Sequence, residues 1–120
     1  MDRDDVLEVC SGFLGSVEDY PFGDEVAVFK VGGRMFAIVS LTGSPGSMTL
    51  KCDPSLALEL RARHPAVQPG YHTNKRHWNT VELDGSIDAA ELREMIEHSY
   101  QLVVSRLPRA EREHLAPGDA

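Results

Sequence analysis

The sequence predicts an α+β fold: two layers, a single antiparallel sheet with helices, in the order α-β-β-β-α-β-β-α. Three observations predict it. Stretches rich in Val, Phe, Ile and Thr are joined by turns too short for a crossover, which makes neighbouring strands antiparallel. Three segments carry apolar residues at helical spacing, enough to cover one sheet face and leave the other partly solvated. The 120 residues, 42% hydrophobic and 26% charged, fit one domain. A chain of that size buries roughly two thirds of its unfolded surface.

Each element has a local cause. Val6, Val9, Cys10, Phe13, Leu14 and Val17 form a helical stripe, and the segment from Gly12 to Gly15 ends that helix. A turn follows through Tyr20-Pro21-Phe22-Gly23. In VAVFKVGGRMFAIVSL (26–41) two β-rich arms meet at Gly32-Gly33, a pair that supplies positive φ for a tight hairpin. GSPG (43–46) turns the chain into SMTLKC (47–52), where Met48, Leu50 and Cys52 alternate with Ser47, Thr49 and Lys51. Asp53 is an N-cap with Pro54 at the first helical position; Leu56 and Leu60 share a face, and Pro65 marks the end.

VQPGYH (67–72) reads as a short irregular edge strand, since its proline cannot donate to a ladder. His77 to Leu83 makes a better strand, closed by Asp84-Gly85. Asp88 and Glu91, three apart, predict a capping box for the last helix. That helix has a long face of Leu92, Ile96, Ser99, Val103 and Leu107, and Pro108 ends it. The domain therefore spans 1–108, and the charged segment 109–120 is expected to be a disordered tail.

Composition excludes several classes. No apolar run approaches the ~20 residues of a membrane span. The acidic start MDRDDVLEVC lacks the basic and apolar regions of a signal peptide, so a cytoplasmic location is expected. Cys10 and Cys52 are too few for a disulfide framework and read as buried reduced thiols. There is no nucleophile elbow, phosphate loop, Ser-His-Asp order or paired-carboxylate pocket, so no catalytic residue and no cofactor is assigned. Cys52, His72 and His77 lack the spacing of a zinc site, and no metal is assigned.

Charge is segregated. The net charge is -7, yet residues 1–27 carry a net of -7, residues 28–81 a net of +5 and residues 82–120 a net of -5. An acid-base-acid chain points to an anion-facing surface within a molecule that otherwise repels anions. The densest chemistry lies in Gly70 to Gly85, GYHTNKRHWNTVELDG, which packs Tyr71, His72, Asn74, Lys75, Arg76, His77 and Trp78 into one short stretch. Such a mixture of cations, imidazoles, amide and aromatics is unlike a core strand and unlike a flexible linker.

Four stretches together resemble the MmcQ/YjbR family: FKVGGRMFAIVSL (29–41), LKCDPSLALELR (50–61), PGYHTNKRHWNTVELDGSI (69–87) and HSYQLVVSRLP (98–108). The resemblance implies a two-layer domain with one antiparallel sheet and a so-called double-wing arrangement that carries a DNA-binding label. The wings are the hairpin through Val31-Gly32-Gly33-Arg34 and the loop through Thr73-Asn74-Lys75-Arg76. On this reading Lys30, Arg34, Lys75 and Arg76 meet phosphates, Lys51 adds a cation on the exposed sheet face, Asn74 reads a base, Tyr71 and Trp78 stack, and His72 and His77 complete the site. With about four phosphate contacts, binding is weak and its salt slope about -3 to -4. The alternative is a protein or peptide interaction module, chaperone-like or dimerising, that uses the exposed sheet face. The fold resembles that of small acidic secretion chaperones, and the net charge of -7 suits that role.

Overall fold

A computed structural model describes residues 1–115. Ten elements follow one another: α1 (Arg3–Ser11), β1 (Val17–Asp19), β2 (Val26–Val31), β3 (Arg34–Ser40), β4 (Ser47–Lys51), α2 (Pro54–Arg63), β5 (Val67–Pro69), β6 (Trp78–Glu82), α3 (Ala89–Ser105) and α4 (Arg109–His114). The six strands form one antiparallel sheet in the order β1-β2-β3-β4-β6-β5. The α+β order read from the sequence holds, with a three-residue strand added before the first hairpin and a one-turn-and-a-half helix after the last. Val17, expected on the first helical stripe, instead opens edge strand β1 and is exposed. Residues 109–114, expected as tail, are helical, and Leu115 reaches back to Gly15. The remaining tail, 116–120, lies outside the described residues.

Caps decide where the helices begin. Asp53 accepts the backbone N–H groups of Ser55 and Leu56, and Pro54 needs no partner at the first turn. Asp88 accepts from Glu91 N–H, but the Glu91 carboxylate does not reach back to complete the box: it pairs with His64 Nε2 at 2.8 Å. The capping box lies on α1 instead, where Asp2 and Asp5 bond each other's backbone N–H.

One sheet face is covered by α1, α2 and α3. Its core includes Val6, Phe29, Phe36, Met48, Leu50, Val81, Ile96 and Val103, all buried. Phe13 stacks on Tyr100 at 4.5 Å, and Tyr100 meets Phe36 edge-on at 5.4 Å, which fastens the end of α1 to α3. The register between β2 and β3 slips by one at Phe29/Lys30, so Phe36 and Ala37 are buried side by side. Just past the last β3–β4 pair, Ala37 and Leu50, Ser99 links the two strands: its hydroxyl donates to the Phe36 carbonyl at 2.5 Å and accepts from Lys51 N–H at 2.9 Å.

At the far end, Arg3 donates to the carbonyls of Ser40, Thr42 and Gly43, stapling α1 to the exit of β3. The hairpin between β2 and β3 is clamped at the near end. Gly32 has φ +57°, and a Cβ there would lie 2.6 Å from Leu107 Cδ2, so glycine is required both by conformation and by the close approach of the chain after α3.

Candidate functional site

The antiparallel register gathers the predicted residues at one end of the sheet. Val31 pairs with Arg34 across the hairpin, Ala37 with Leu50, and Lys51 with Trp78. The start of β3, the end of β4 and the start of β6 therefore share one end, and the loop 70–77 enters there. Arg106, the C-cap of α3, arrives from the helix layer. Sequence reasoning did not include it, although its place beyond a helix that starts at the opposite end was a readable signal.

Lys51 reports how close these cations are. Its ammonium is held below the usual lysine value, first by partial burial and then by the positive charges of Arg106 and Arg34. Three cations therefore bear on one another across β3, β4 and α3. Among the described residues none of Arg34, Lys51, Arg76 and Arg106 has a carboxylate partner. Lys30 differs: its Nζ pairs with Asp19 at 2.9 Å.

The loop 70–77 is tightly built. Gly70 N–H donates to Trp78 O, and Lys75 Nζ folds back onto Gly70 O at 2.9 Å. Asn74 Oδ1 accepts Arg76 N–H at 3.0 Å in a local Asx turn, which holds the side chain against its own loop. His77 donates its N–H to Asn74 O and accepts Cys52 N–H on its carbonyl at 2.8 Å. Arg61 braces the whole loop: Nε donates to Asn79 Oδ1 at 2.7 Å, and Nη2 donates to the carbonyls of Lys75 and Trp78. Asn79 in turn donates to Ala57 O at 3.3 Å. The sequence held a clue to this brace, an asparagine at an inward position of a strand.

Tyr71 and His72 project from the loop. Tyr71 is 71% exposed, and its ring lies 3.9 Å from that of His72. His72 is the one non-glycine residue at positive φ among the described residues, +58°, a conformation that sets the two rings side by side. Trp78 is half-buried and anchors the base of the loop. On the open sheet face Tyr71 and His72 join Phe22, Val26, Met35 and Ile38 around a trough of about 760 Å³. Thr49 and Thr80 hydrogen-bond each other at 2.8 Å on its floor.

A second hollow, about 530 Å³, lies between α2 and α3 over Leu50, Val81 and Met95. Two of its lining residues are engaged: Glu91 pairs with His64, and His98 Nε2 accepts Asp53 N–H at 3.3 Å. Cys52 lines it, but burial, and secondarily Asp53, push the thiol up to about 11. Among the described residues no three His, Cys, Asp or Glu side chains come together as a metal site, and no helix is long and apolar enough to cross a membrane.

An α+β domain with one helix-covered sheet face, one open face and a cationic sheet end is the class of protein that this geometry defines. The YjbR family model matches residues 11–102, and the chain belongs to that family. It is 41% identical over 100 residues to the uncharacterized protein YbdF of Escherichia coli O157:H7, covering 82% of this chain and 81% of that one. It is 33% identical over 111 residues to the uncharacterized protein YjbR of Escherichia coli K12, covering 92% and 94%. The crystal structure of Deinococcus radiodurans protein DR2400 superposes with a TM-score of 0.90 at 42% identity, over 99% of this chain and 94% of that one. A Pseudomonas syringae protein superposes with a TM-score of 0.74 at 28% identity, over 86% and 99%.

Proposed function

We propose that this chain is a non-catalytic nucleic-acid-binding module, which holds the phosphate backbone at the cationic end of its sheet. One observation carries the reading: Arg34, Lys51, Arg76 and Arg106 are gathered at one end of the sheet, and among the described residues none of them has a carboxylate partner. Lys51, held below its usual value first by burial and then by Arg106 and Arg34, would be relieved by an arriving anion. Asn74 is committed to its own turn, so the contact reads backbone rather than sequence. This reading takes as its two wings the hairpin clamped by Leu107 and the loop braced by Arg61. Free buried Cys10 and Cys52 suit a reducing, cytoplasmic setting.

The test is anisotropy of labelled duplex and single-stranded oligonucleotides between about 50 and 200 mM salt. With about four phosphate contacts, log K falls against log salt with a slope of about -3 to -4 on duplex. The double variant Arg34→Ala/Arg76→Ala should reduce that slope by about 2. No binding at the lowest salt overturns the reading.

The apolar trough favours a second reading, a docking module for a protein segment or a second copy. That reading expects concentration-dependent self-association in sedimentation and no salt-dependent binding to DNA.

A further inference from the structure

We infer that the trough on the open sheet face accepts unpaired bases, so that the ligand is a single strand rather than a duplex. The inference rests on the nucleic-acid reading above and adds to it which form of nucleic acid is held, and where its bases lie.

Three observations lead there. First, two large aromatic side chains line the trough and stand out from the surface: Phe22 is 63% exposed and Tyr71 is 71% exposed. Neither is spent in the core: Phe22 is open to stacking, and Tyr71, with His72 against one side of its ring, keeps its other face for a base. Second, the trough is continuous with the cationic end. Tyr71 and His72 line it, and the same loop carries Arg76 four residues further on. Strand β6 runs from Trp78, opposite Lys51, to Thr80 on the trough floor. A strand whose phosphates lie on Arg34, Lys51 and Arg76 therefore has its bases beside the trough, and charge complementarity fixes which end of the groove it enters.

Third, the trough is apolar with polar points suited to base edges. Val26, Met35 and Ile38 give the apolar surface, while Gln68, Ser40 and Ser47 offer donors and acceptors around it. Glu82 is its one carboxylate, and it sits at the end of β6 away from the cations. A paired base keeps its stack and its partner and cannot enter such a concavity. An unpaired base loses little by entering. DNA and RNA share this chemistry, since nothing in the trough singles out a sugar hydroxyl.

The experiment compares three labelled ligands of equal charge at low salt: an oligothymidylate of about 12 nucleotides, an abasic phosphodiester of the same length, and a hairpin duplex. Uridine oligomers run alongside to separate RNA from DNA. The wild-type chain should bind the oligothymidylate about five-fold or more tightly than the abasic strand. Tyr71→Ala and Phe22→Ala should each remove most of that preference while leaving abasic binding and its salt slope unchanged. Both positions are exposed, so the variants keep the fold.

Equal affinity for all three ligands, lost only in Arg34→Ala/Arg76→Ala, overturns the inference and leaves the phosphate reading standing. Binding of none of them overturns both. A dimer that forms with rising concentration and shuts out the oligothymidylate also overturns the inference, because the trough is then filled by a second copy.

Discussion

The hydroxyl of Ser99 accepts the backbone N–H of Lys51 and donates to the carbonyl of Phe36, completing a sheet ladder from the middle of a helix. The β3–β4 pairing ends at Ala37 and Leu50, and Ser99, 0% exposed, serves the next backbone groups on both strands with one side chain. Buried backbone groups need a partner, and here a helix provides it.

Ser99→Ala should therefore cost more than a surface change. Two buried groups lose their partner at once, and each such loss is worth about 1–3 kcal/mol. Urea denaturation measures it. A variant within about 0.5 kcal/mol of wild type would show that Phe36 and Lys51 close on each other without the serine.

Gly70→Ala should distort the loop rather than the sheet. A Cβ there would sit 2.7 Å from Trp78 Cβ and 3.0 Å from Trp78 O, and β6 leaves no room for retreat. Trp78 is the only tryptophan, so its emission reports the change directly. An unshifted spectrum with unchanged stability would mean that the loop has slack.

Arg61→Ala should loosen the same loop from the other side. Asn79 Oδ1 then loses the donor at 2.7 Å, and the Lys75 and Trp78 carbonyls lose theirs. A cost of about 1–3 kcal/mol is expected, with faster amide exchange at His77. Oligonucleotide binding should weaken as well, because Arg76 rides on the braced loop. Undiminished protection at His77 would locate the brace elsewhere.

Lys51→Met should raise the denaturation midpoint while weakening oligonucleotide binding. The folded-state value of Lys51 lies below 10.5 because of burial and the charges of Arg106 and Arg34. Below that folded value both states hold the proton, and the wild type bears the full penalty. As pH rises through it toward 10.5 the penalty fades, so the advantage of the variant should shrink in that window. An advantage that is constant with pH would assign it to packing instead.

Neither thiol should react in the native state. Burial alone pushes Cys10 up to about 12, and Cys52 stands at about 11. A thiol reagent at neutral pH should titrate two groups in denaturant and almost none without it. Prompt reaction of Cys52 would mean that the hollow between α2 and α3 opens, and prompt reaction of Cys10 that α1 lifts from the core.

Strong local chemistry was legible in the sequence: the Gly32-Gly33 hairpin, the Asp53-Pro54 helix start and the buried face from Leu92 to Leu107. What lay hidden is set by tertiary pairing. Nothing in local spacing says that Glu91 prefers His64 to its own helix end, or that Val17 leaves a helical stripe for the edge of a sheet. The site shows the same division. Its position in the sequence was plain from Gly70 to Trp78, but Asn74, Lys75 and Lys30, equal candidates by residue type, are occupied by neighbours in space. Arg106 and the brace by Arg61 left only traces in the sequence, a helix returning to the hairpin end and an inward asparagine, and the fold was needed to name their partners.

Helix α3 has one more consequence. It begins among Asp88, Glu91 and Glu94, near the turns stapled by Arg3, and finishes at Arg106 beside the hairpin. The acids of the α1 start, Asp2, Asp4 and Asp5, and those closing β6, Glu82 and Asp84, lie at that first end too. Charge is therefore uneven along α3, with acids at its start and Arg106 at its end. A separation of that sense turns the acidic end away from a polyanion and presents the sheet end before any contact forms. It is this separation that favours one orientation of approach, while the net charge of -7 only repels.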